Sequence, residues 1–219
     1  MRDWIETLIA HELAYGYLGK AFYEPPTKEL LETLVSDDLF ADWPLETGQS
    51  DVQTGLELLR NYCRSWREEQ LESLQHDYRR LFIGPAQPLA VPWESVYLSP
   101  DHLLFGAQTV QVRRLYERFG MSVPNPQSEP ADHFGLEMRF VAHLCAIGIE
   151  AANQDRPDLR NAVIAEIRSF LSEHLLKWAP AFLQKVIENA KSDYYRGAAH
   201  LALGCLTDTY ETLSLESAP

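Results

Sequence analysis

The sequence predicts an all-α protein, a single globular bundle of roughly eight to ten helices. Apolar residues recur at steps of three or four through most of the chain, which is the spacing that places them on one helix face. Proline and glycine fall between these periodic segments, where helices are expected to end. The 219 residues are 46% hydrophobic and 23% charged, so the chain is able to bury a core without disulfides or a metal.

Proline and glycine separate the N-terminal helices. Pro25 and Pro26 end the first helix, and Pro44 with Gly48 separates a short second helix from a long third one. The third helix is predicted from a single apolar face, which is made by Val52, Leu56, Leu59, Cys63 and Trp66.

The C-terminal half carries three further amphipathic segments, and each needs a partner to bury its apolar face. Glu129 and Pro130 precede one more helix, with Pro130 suited to its first turn. The three apolar faces are made by Val112, Leu115 and Phe119, by Leu159, Val163, Ile167 and Phe170, and by Tyr194, Ala198, Leu201 and Cys205.

Residues 84–100 form the longest break in the helical pattern. Four prolines in this segment remove backbone donors, so neither a helix nor a strand is expected there. Long loops inside compact helical domains are often functional. We predict one domain over residues 1–219, with an N-terminal helical half at about 1–83, a loop at 84–106 and a C-terminal helical half at about 107–213.

The charge balance restricts the partners. Lysine and arginine number 19 against 32 aspartates and glutamates, a net charge of −13 that excludes nucleic acid and would be repelled by an anionic membrane. No apolar run approaches the roughly 18 residues of a membrane span, and acids in the first helix argue against an export signal. Three widely spaced cysteines, Cys63, Cys145 and Cys205, predict reduced thiols and a cytoplasmic protein.

Asp132 and His133 are the first candidates for chemistry. An acid beside an imidazole is typical of acid–base sites, but adjacent helical side chains point about 100° apart and do not orient one another. A helix start and a binding site are the alternatives. Glu137 lies one turn after His133, yet no two histidines lie three to five residues apart, so a metal site has little local support. Phosphate-loop and nucleophile-elbow motifs are absent, and we predict no cofactor, no metal and no catalytic residue.

Aromatic residues lie before and within the proline-rich segment. Tyr78 and Phe82 are one helical turn apart at a helix end that Gly84 stops, and Trp93 and Tyr97 follow in the segment itself. Such rings either belong to the core or together line an apolar groove for a peptide, with acidic residues to hold the peptide's cations.

Six sequence strings follow one another across most of the chain. They are YRRLFIGP at 78–85, PWESVYL at 92–98, LFG at 104–106, EPADHFG at 129–135, HLLKWAPAFL at 174–183 and YYRGAAHLA at 194–202. In this order they resemble the redox-enzyme maturation chaperones of the TorD/DmsD family, and within it the DmsD branch most.

The resemblance implies a cytoplasmic chaperone, not an enzyme, that binds the twin-arginine signal peptide of a molybdopterin-containing reductase subunit of the dimethyl sulfoxide reductase type. It would delay export by the Tat system until the cofactor is inserted. The expected partners are that leader and the catalytic subunit, with components of the Tat translocase as a further candidate. An acidic protein with an aromatic groove is complementary to a leader that carries two arginines beside an apolar stretch. A monomer is expected, with a domain-swapped dimer left open.

The resemblance also implies a set of peptide-binding residues. We expect Asp132 and Glu129 to face the leader's arginines. Trp93 and Phe82 are expected to contact its apolar part, while His133 orders the loop by hydrogen bonding. The full set is Tyr23, Tyr78, Phe82, Pro92, Trp93, Gly106, Glu129, Asp132 and His133.

Three alternatives stay open. An assembly chaperone would bind the body of a partner reductase rather than its leader. A metal-dependent hydrolase would use Asp132, His133 and Glu137. Guanine-nucleotide binding has been suggested for the family, although this chain carries no phosphate loop.

Overall fold

Helices make up the regular structure of the computed structural model, which describes residues 4–45, 48–84, 87–124 and 129–215. The prediction of an all-α protein is confirmed, since these ranges hold ten α-helices and no β-strand. The helices are α1 (Trp4–Tyr23), α2 (Lys28–Ser36), α3 (Ser50–Ser65), α4 (Leu71–Tyr78), α5 (Glu94–Leu98), α6 (Ala107–Arg118), α7 (Phe134–Asn153), α8 (Pro157–Phe170), α9 (Leu176–Asn189) and α10 (Asp193–Leu215).

The chain divides into two compact units, each made from segments that are distant in sequence. Unit 1 contains the residues up to Tyr23, the range Trp93–Ala179 and the residues from Thr209 onward. Unit 2 contains Glu24–Pro92 and Pro180–Asp208. Helices α9 and α10 therefore contribute to both units. The prediction that residues 1–219 form one domain stays a prediction.

In unit 1, the most extensive helix pairing of the described residues joins α1 to α7. Two glycines allow the close approach, because a Cβ at Gly19 would lie 2.9 Å from the carbonyl oxygen of Gly135. A Cβ at Gly135 would lie 2.7 Å from both the carbonyl oxygen of Gly19 and the Cβ of Tyr23. This contact places Tyr23 beside the first turn of α7.

In unit 2, α3 packs against α10 through a second pair of glycines. A Cβ at Gly55 would lie 2.7 Å from the carbonyl oxygen of Gly197, so neither position has room for a side chain. The predicted apolar face of α10 is confirmed, because its four residues are fully buried. They are Tyr194, Ala198, Leu201 and Cys205.

Two sequence expectations about helices are wrong. Residues 94–98 form the short helix α5 although they lie in the proline-rich segment, because the nearest prolines, Pro92 and Pro100, lie outside the helix. Helix α7 does not begin at Pro130 but at Phe134, since the N-cap residue His133 has an extended backbone and bridges to Trp93. At the other end of the proline-rich segment, Gly84 stops the π-helical turn Arg79–Ile83 with a φ of 65°, as expected.

None of the helices in the described ranges has both the length and the apolar character needed to cross a membrane.

Candidate functional site

The candidate site lies in unit 1, where Trp93, just before α5, meets His133, just before α7. Trp93 and His133 form an isolated β-bridge, and the backbone N–H of Glu94 donates to the carbonyl oxygen of Asp132 at 3.0 Å. This pairing ends one residue before α7, which explains why α7 starts late. It joins two of the motifs that carry the family resemblance.

Asp132 is the residue that holds these segments together. Its side chain is 0% exposed. One carboxylate oxygen accepts the backbone N–H of Ser95 at 2.7 Å, and the other accepts the hydroxyl of Thr109 at 2.6 Å. Asp132 therefore links α5, α6 and the start of α7, and the expectation that it faces the leader's arginines does not agree with its burial.

His133 is the N-cap of α7 and is almost fully buried. Its Nδ1 accepts the backbone N–H of Gly135 at 3.0 Å. Burial, and then the positive charge of Arg139, lowers the pKa of His133 to about 3. The ring is therefore neutral near pH 7, and its proton is assigned to Nε2 because Nδ1 accepts a hydrogen bond. The expectation that His133 orders the loop by hydrogen bonding agrees with this geometry.

Two aromatic rings meet His133 edge-on. The ring of Tyr23 lies 5.2 Å from the His133 ring, and the ring of Trp93 lies 5.6 Å from it, both nearly perpendicular. Trp93 is partly exposed, and its Nε1 is buried without a hydrogen-bond partner among the described residues. The structure thus brings together Tyr23, Trp93 and His133, which the sequence places far apart.

Glu129 is the partly exposed acid of this group. Its Oε2 accepts the hydroxyl of Tyr23 at 2.5 Å. The guanidinium carbon of Arg139 lies 4.7 Å from the centre of the Tyr23 ring, in a cation–π contact. Glu129 thus lies at the surface, beside a tyrosine that is in contact with His133.

Gly106 begins α6 at its N-cap position. A Cβ at Gly106 would lie 3.9 Å from the Cβ of Ser95, so this turn adjoins the segment that carries Trp93. The three residues before Gly106 are apolar and exposed, with Leu103 at 63% and Phe105 at 49%. Phe105 also holds a positive φ of 61°, a conformation that is costly for a side chain of this size.

The remaining three expected site residues, Tyr78, Phe82 and Pro92, belong to unit 2 and are buried there. The rings of Tyr78 and Phe82 lie 5.2 Å apart, as their spacing predicts. Phe82 is 2% exposed and packs on Tyr195 and Phe182. The expectation that Phe82 contacts the leader does not agree with this burial, because its ring belongs to the core of unit 2.

Sequence reasoning missed several residues that build the site. Thr109, Ser95 and Glu94 lie 23 to 38 residues from Asp132 along the chain, and no local pattern connects them. Arg139 follows His133 by six residues, a spacing that also occurs on ordinary solvated helices. The one available signal was Gly135, whose lack of a side chain indicates a close approach next to the expected site.

Two observations concern the residues of the alternative metal-dependent hydrolase. The oxygens of Asp132 accept hydrogen bonds from Ser95 and Thr109, and Nδ1 of His133 accepts one from a backbone N–H. In the part of the chain that the structure describes, no group of three His, Cys, Asp or Glu side chains is arranged to hold a metal ion.

Comparison with known proteins identifies the family to which this chain is similar. The family model described as "Nitrate reductase delta subunit" matches residues 46–184. The Tat proofreading chaperone DmsD of Salmonella typhimurium is 32% identical over 84% of this chain and 81% of its own. The chaperone protein TorD of Vibrio cholerae is 33% identical over 91% of this chain and 84% of its own.

The fold has also been seen in a crystal structure. A candidate redox enzyme maturation protein from Archaeoglobus fulgidus matches with a TM-score of 0.50 over 93% of each chain, at 17% identity. At this identity the match supports the helical fold alone.

The helical fold and the sequence matches define a redox-enzyme maturation protein, a class whose curated relatives are named as chaperones. More specifically, the chain belongs to the nitrate reductase delta subunit family, together with the DmsD and TorD chaperones.

Proposed function

We propose that this protein is a cytoplasmic chaperone that binds the twin-arginine signal peptide of a molybdopterin-containing reductase subunit and delays its export. The relatives named Tat proofreading chaperone support this role, as does the family to which the chain belongs. The observation that carries the proposal is the group made by the partly exposed residues Glu129, Tyr23 and Trp93 around the buried ring of His133. This group combines one accessible carboxylate with aromatic rings, which suits a peptide that carries arginines beside an apolar stretch.

Glu129 is the acid that we propose for a leader arginine. Tyr23 uses Oε2, so the other oxygen is available to a guanidinium. Asp132 is not proposed as a direct contact, since it is fully buried. Its role is to hold Trp93 and His133 in place through Ser95 and Thr109.

Trp93 and the exposed segment 103–105 are proposed for the apolar part of the leader. The partly exposed ring of Trp93 provides apolar surface for the leader. Leu103, Leu104 and Phe105 expose apolar surface next to Gly106, and covering this surface would contribute about 25 cal/mol for each Å² removed from water. This segment takes the place that the sequence assigned to Phe82.

Calorimetric titration of the purified protein with leader peptides tests the proposal. We expect binding of a twin-arginine leader and much weaker binding of a Lys-Lys peptide, because lysine does not form the paired hydrogen bonds of a guanidinium. A leader whose apolar stretch is replaced by polar residues should also bind more weakly. Equal binding of all three peptides, or none, contradicts the proposal, and binding of a leaderless reductase subunit alone would favour the body-binding alternative.

Glu129→Gln is the variant that tests the contact. It should weaken leader binding by about 1 to 2 kcal/mol, since a charge-assisted hydrogen bond at a partly exposed site becomes a neutral one. Glu117→Gln on α6 is the matched control, because Glu117 is exposed and its substitution changes the net charge equally. An equal effect of both variants would indicate general attraction by the acidic surface.

A further inference from the structure

Unit 1 buries two more acids that the proposed function does not use. Glu94 on α5 and Glu137 on α7 are almost completely excluded from solvent, and His174 is buried beside Glu94. An isolated carboxylate in such a place is costly unless it is paired or takes up a proton. The contacts of Glu94, Glu137 and His174 show which carboxylate is paired and which one takes up a proton.

The contacts of Glu94 and Glu137 are unequal. Both oxygens of Glu94 lie 3.0 Å from Nδ1 of His174, which donates to this carboxylate. Oε2 of Glu137 accepts the indole N–H of Trp178 at 3.2 Å. Oε1 of Glu137 is buried, and no donor of the described protein reaches it. A proton on Oε1 turns this orphaned acceptor into a donor to Glu94 and so satisfies both acids.

The surroundings favour that proton. Burial, and then the negative charges of Glu94 and Asp132, raises the pKa of Glu137 well above its ordinary value of 4.5. Tyr116 on α6 also faces these acids, and burial raises its own pKa, so its hydroxyl stays neutral. His174 acts on the pair through Glu94.

Glu94 and Glu137 are also connected to the site by the backbone. Glu94 follows Trp93 directly, and its N–H donates to Asp132. The N–H of Glu137 donates to the carbonyl oxygen of His133 at 3.0 Å, in the first turn of α7. A bond between the two acid side chains therefore links the residue after Trp93 with the turn that His133 caps.

We propose that Glu94 and Glu137 share one proton, and that this pair acts as a positioning device that holds Trp93 and His133 for the leader. Neither acid touches the leader. The part that concerns binding rests on the proposed function, whereas the sharing of the proton does not.

The sign of the pH dependence follows from the neutral form of Glu137. Its contribution to stability is fully present below pH 4.5 and is lost as the pH rises through the raised pKa of the folded state. His133 acts in the opposite direction, because its pKa falls from 6.5 to about 3, so its contribution is lost as the pH drops below 6.5. A comparison of wild type with a variant at position 137 removes the His133 contribution.

Glu137→Gln is the decisive variant, because the amide supplies the same donor without a titrating proton. We expect the folding equilibrium constant of wild type, divided by that of the variant, to fall with rising pH above 4.5, by up to tenfold per pH unit. The ratio becomes constant once Glu137 is ionised in the folded protein. Parallel stability curves overturn the proposal, and so does a Gln variant that fails to fold. Glu150→Gln, at an exposed position on α7, is the control and should give a constant ratio in the same range.

Two readouts separate proton sharing from its effect on binding. The infrared carbonyl band of a protonated carboxylic acid should be present in wild type at neutral pH and absent in Glu137→Gln. Leader affinity should follow the same pH profile as stability in wild type and lose that profile in the variant. If neither protein binds the leader, the proposed function fails while the stability ratio still tests the shared proton. If both bind with the same pH profile, the positioning role is wrong.

Discussion

Two buried aspartates, one in each unit, are satisfied in different ways. In unit 2, Asp77 accepts the guanidinium of Arg80 at 2.6 Å and the backbone N–H groups of Lys191 and Ser192 just before α10. In unit 1, Asp132 accepts an N–H and a hydroxyl, which are neutral donors. A cation thus compensates the first acid, whereas hydrogen bonds alone hold the second.

The electrostatic consequence differs accordingly. Burial acts to raise the pKa of Asp77, but the hydrogen bonds from Ser192 and Arg80 outweigh it, and the pKa is lowered. In unit 1, burial and then the negative charges of Glu94 and Asp132 raise the pKa of Glu137. The buried acid of unit 2 stabilises the fold by joining α4 to the start of α10, whereas the buried acids of unit 1 position the residues of the candidate site.

Asp77→Ala should have the largest effect on stability. It leaves the N–H groups before α10 without their acceptor and removes the carboxylate that pairs with Arg80, and we expect a loss of about 3 kcal/mol in the free energy of unfolding. Chemical denaturation measures it. Asp193→Ala, which breaks the exposed pair with Arg196, is the control and should cost less than about 1 kcal/mol. Similar losses for both variants would contradict the role of burial.

The same variant has a defined pH dependence. Because the pKa of Asp77 is lowered, its stabilisation is fully present above pH 3.8 and is lost as the pH falls through the folded-state value. The stability difference between wild type and Asp77→Ala should therefore shrink in acid.

Asp132→Ala should have an intermediate effect on stability and a clear effect on binding. The loss of its carboxylate leaves the N–H of Ser95 and the hydroxyl of Thr109 unsatisfied, at a cost of about 1 to 3 kcal/mol. Leader affinity should fall as well, since Trp93 and His133 lose their common anchor. Denaturation and titration measure the two effects. Unchanged stability with reduced affinity would instead place Asp132 in contact with the leader.

Thr109→Val should have the smallest effect. It removes one neutral hydrogen bond to Asp132 and keeps the shape of the side chain, so we expect a loss of about 1 kcal/mol in the free energy of unfolding. A loss as large as that of Asp132→Ala would mean that the bond to Ser95 contributes little. Measurement of both variants by denaturation therefore apportions the stabilisation between the two donors.

The fold could be predicted because the apolar spacing that indicates a helix is contained within a short stretch of sequence. The faces of α8 and α10 repeat every three or four residues, and Val163, Ile167 and Cys205 are buried as expected. The helix stop at Gly84 needed only a residue that tolerates a positive φ. The short helix α5 could not be predicted in this way, because the prolines of the segment disfavour a helix in general, although Pro92 and Pro100 lie outside residues 94–98.

The site could be predicted less well, because its geometry depends on partners distant in sequence. The motif around Asp132 pointed to the segment that contains the candidate site, yet the sequence does not reveal that Ser95 and Thr109 donate hydrogen bonds to its carboxylate. Phe82 is the opposite case, because the sequence pattern of an aromatic residue near a loop is the same whether the ring lines a groove or is buried in a core, and this ring is buried. Burial of individual polar and aromatic residues is a tertiary property.

The pairing of α1 with α7 has a consequence for synthesis on the ribosome. Tyr23 leaves the ribosome long before Gly135, its neighbour in the folded protein, because about 110 residues separate them. At about 5 to 20 residues per second, α1 waits on the order of 10 s for its partner. During that interval its apolar residues Leu8, Leu18 and Phe22 have no core to enter. The apolar face of α1 is therefore exposed on the nascent chain until α7 has been synthesised.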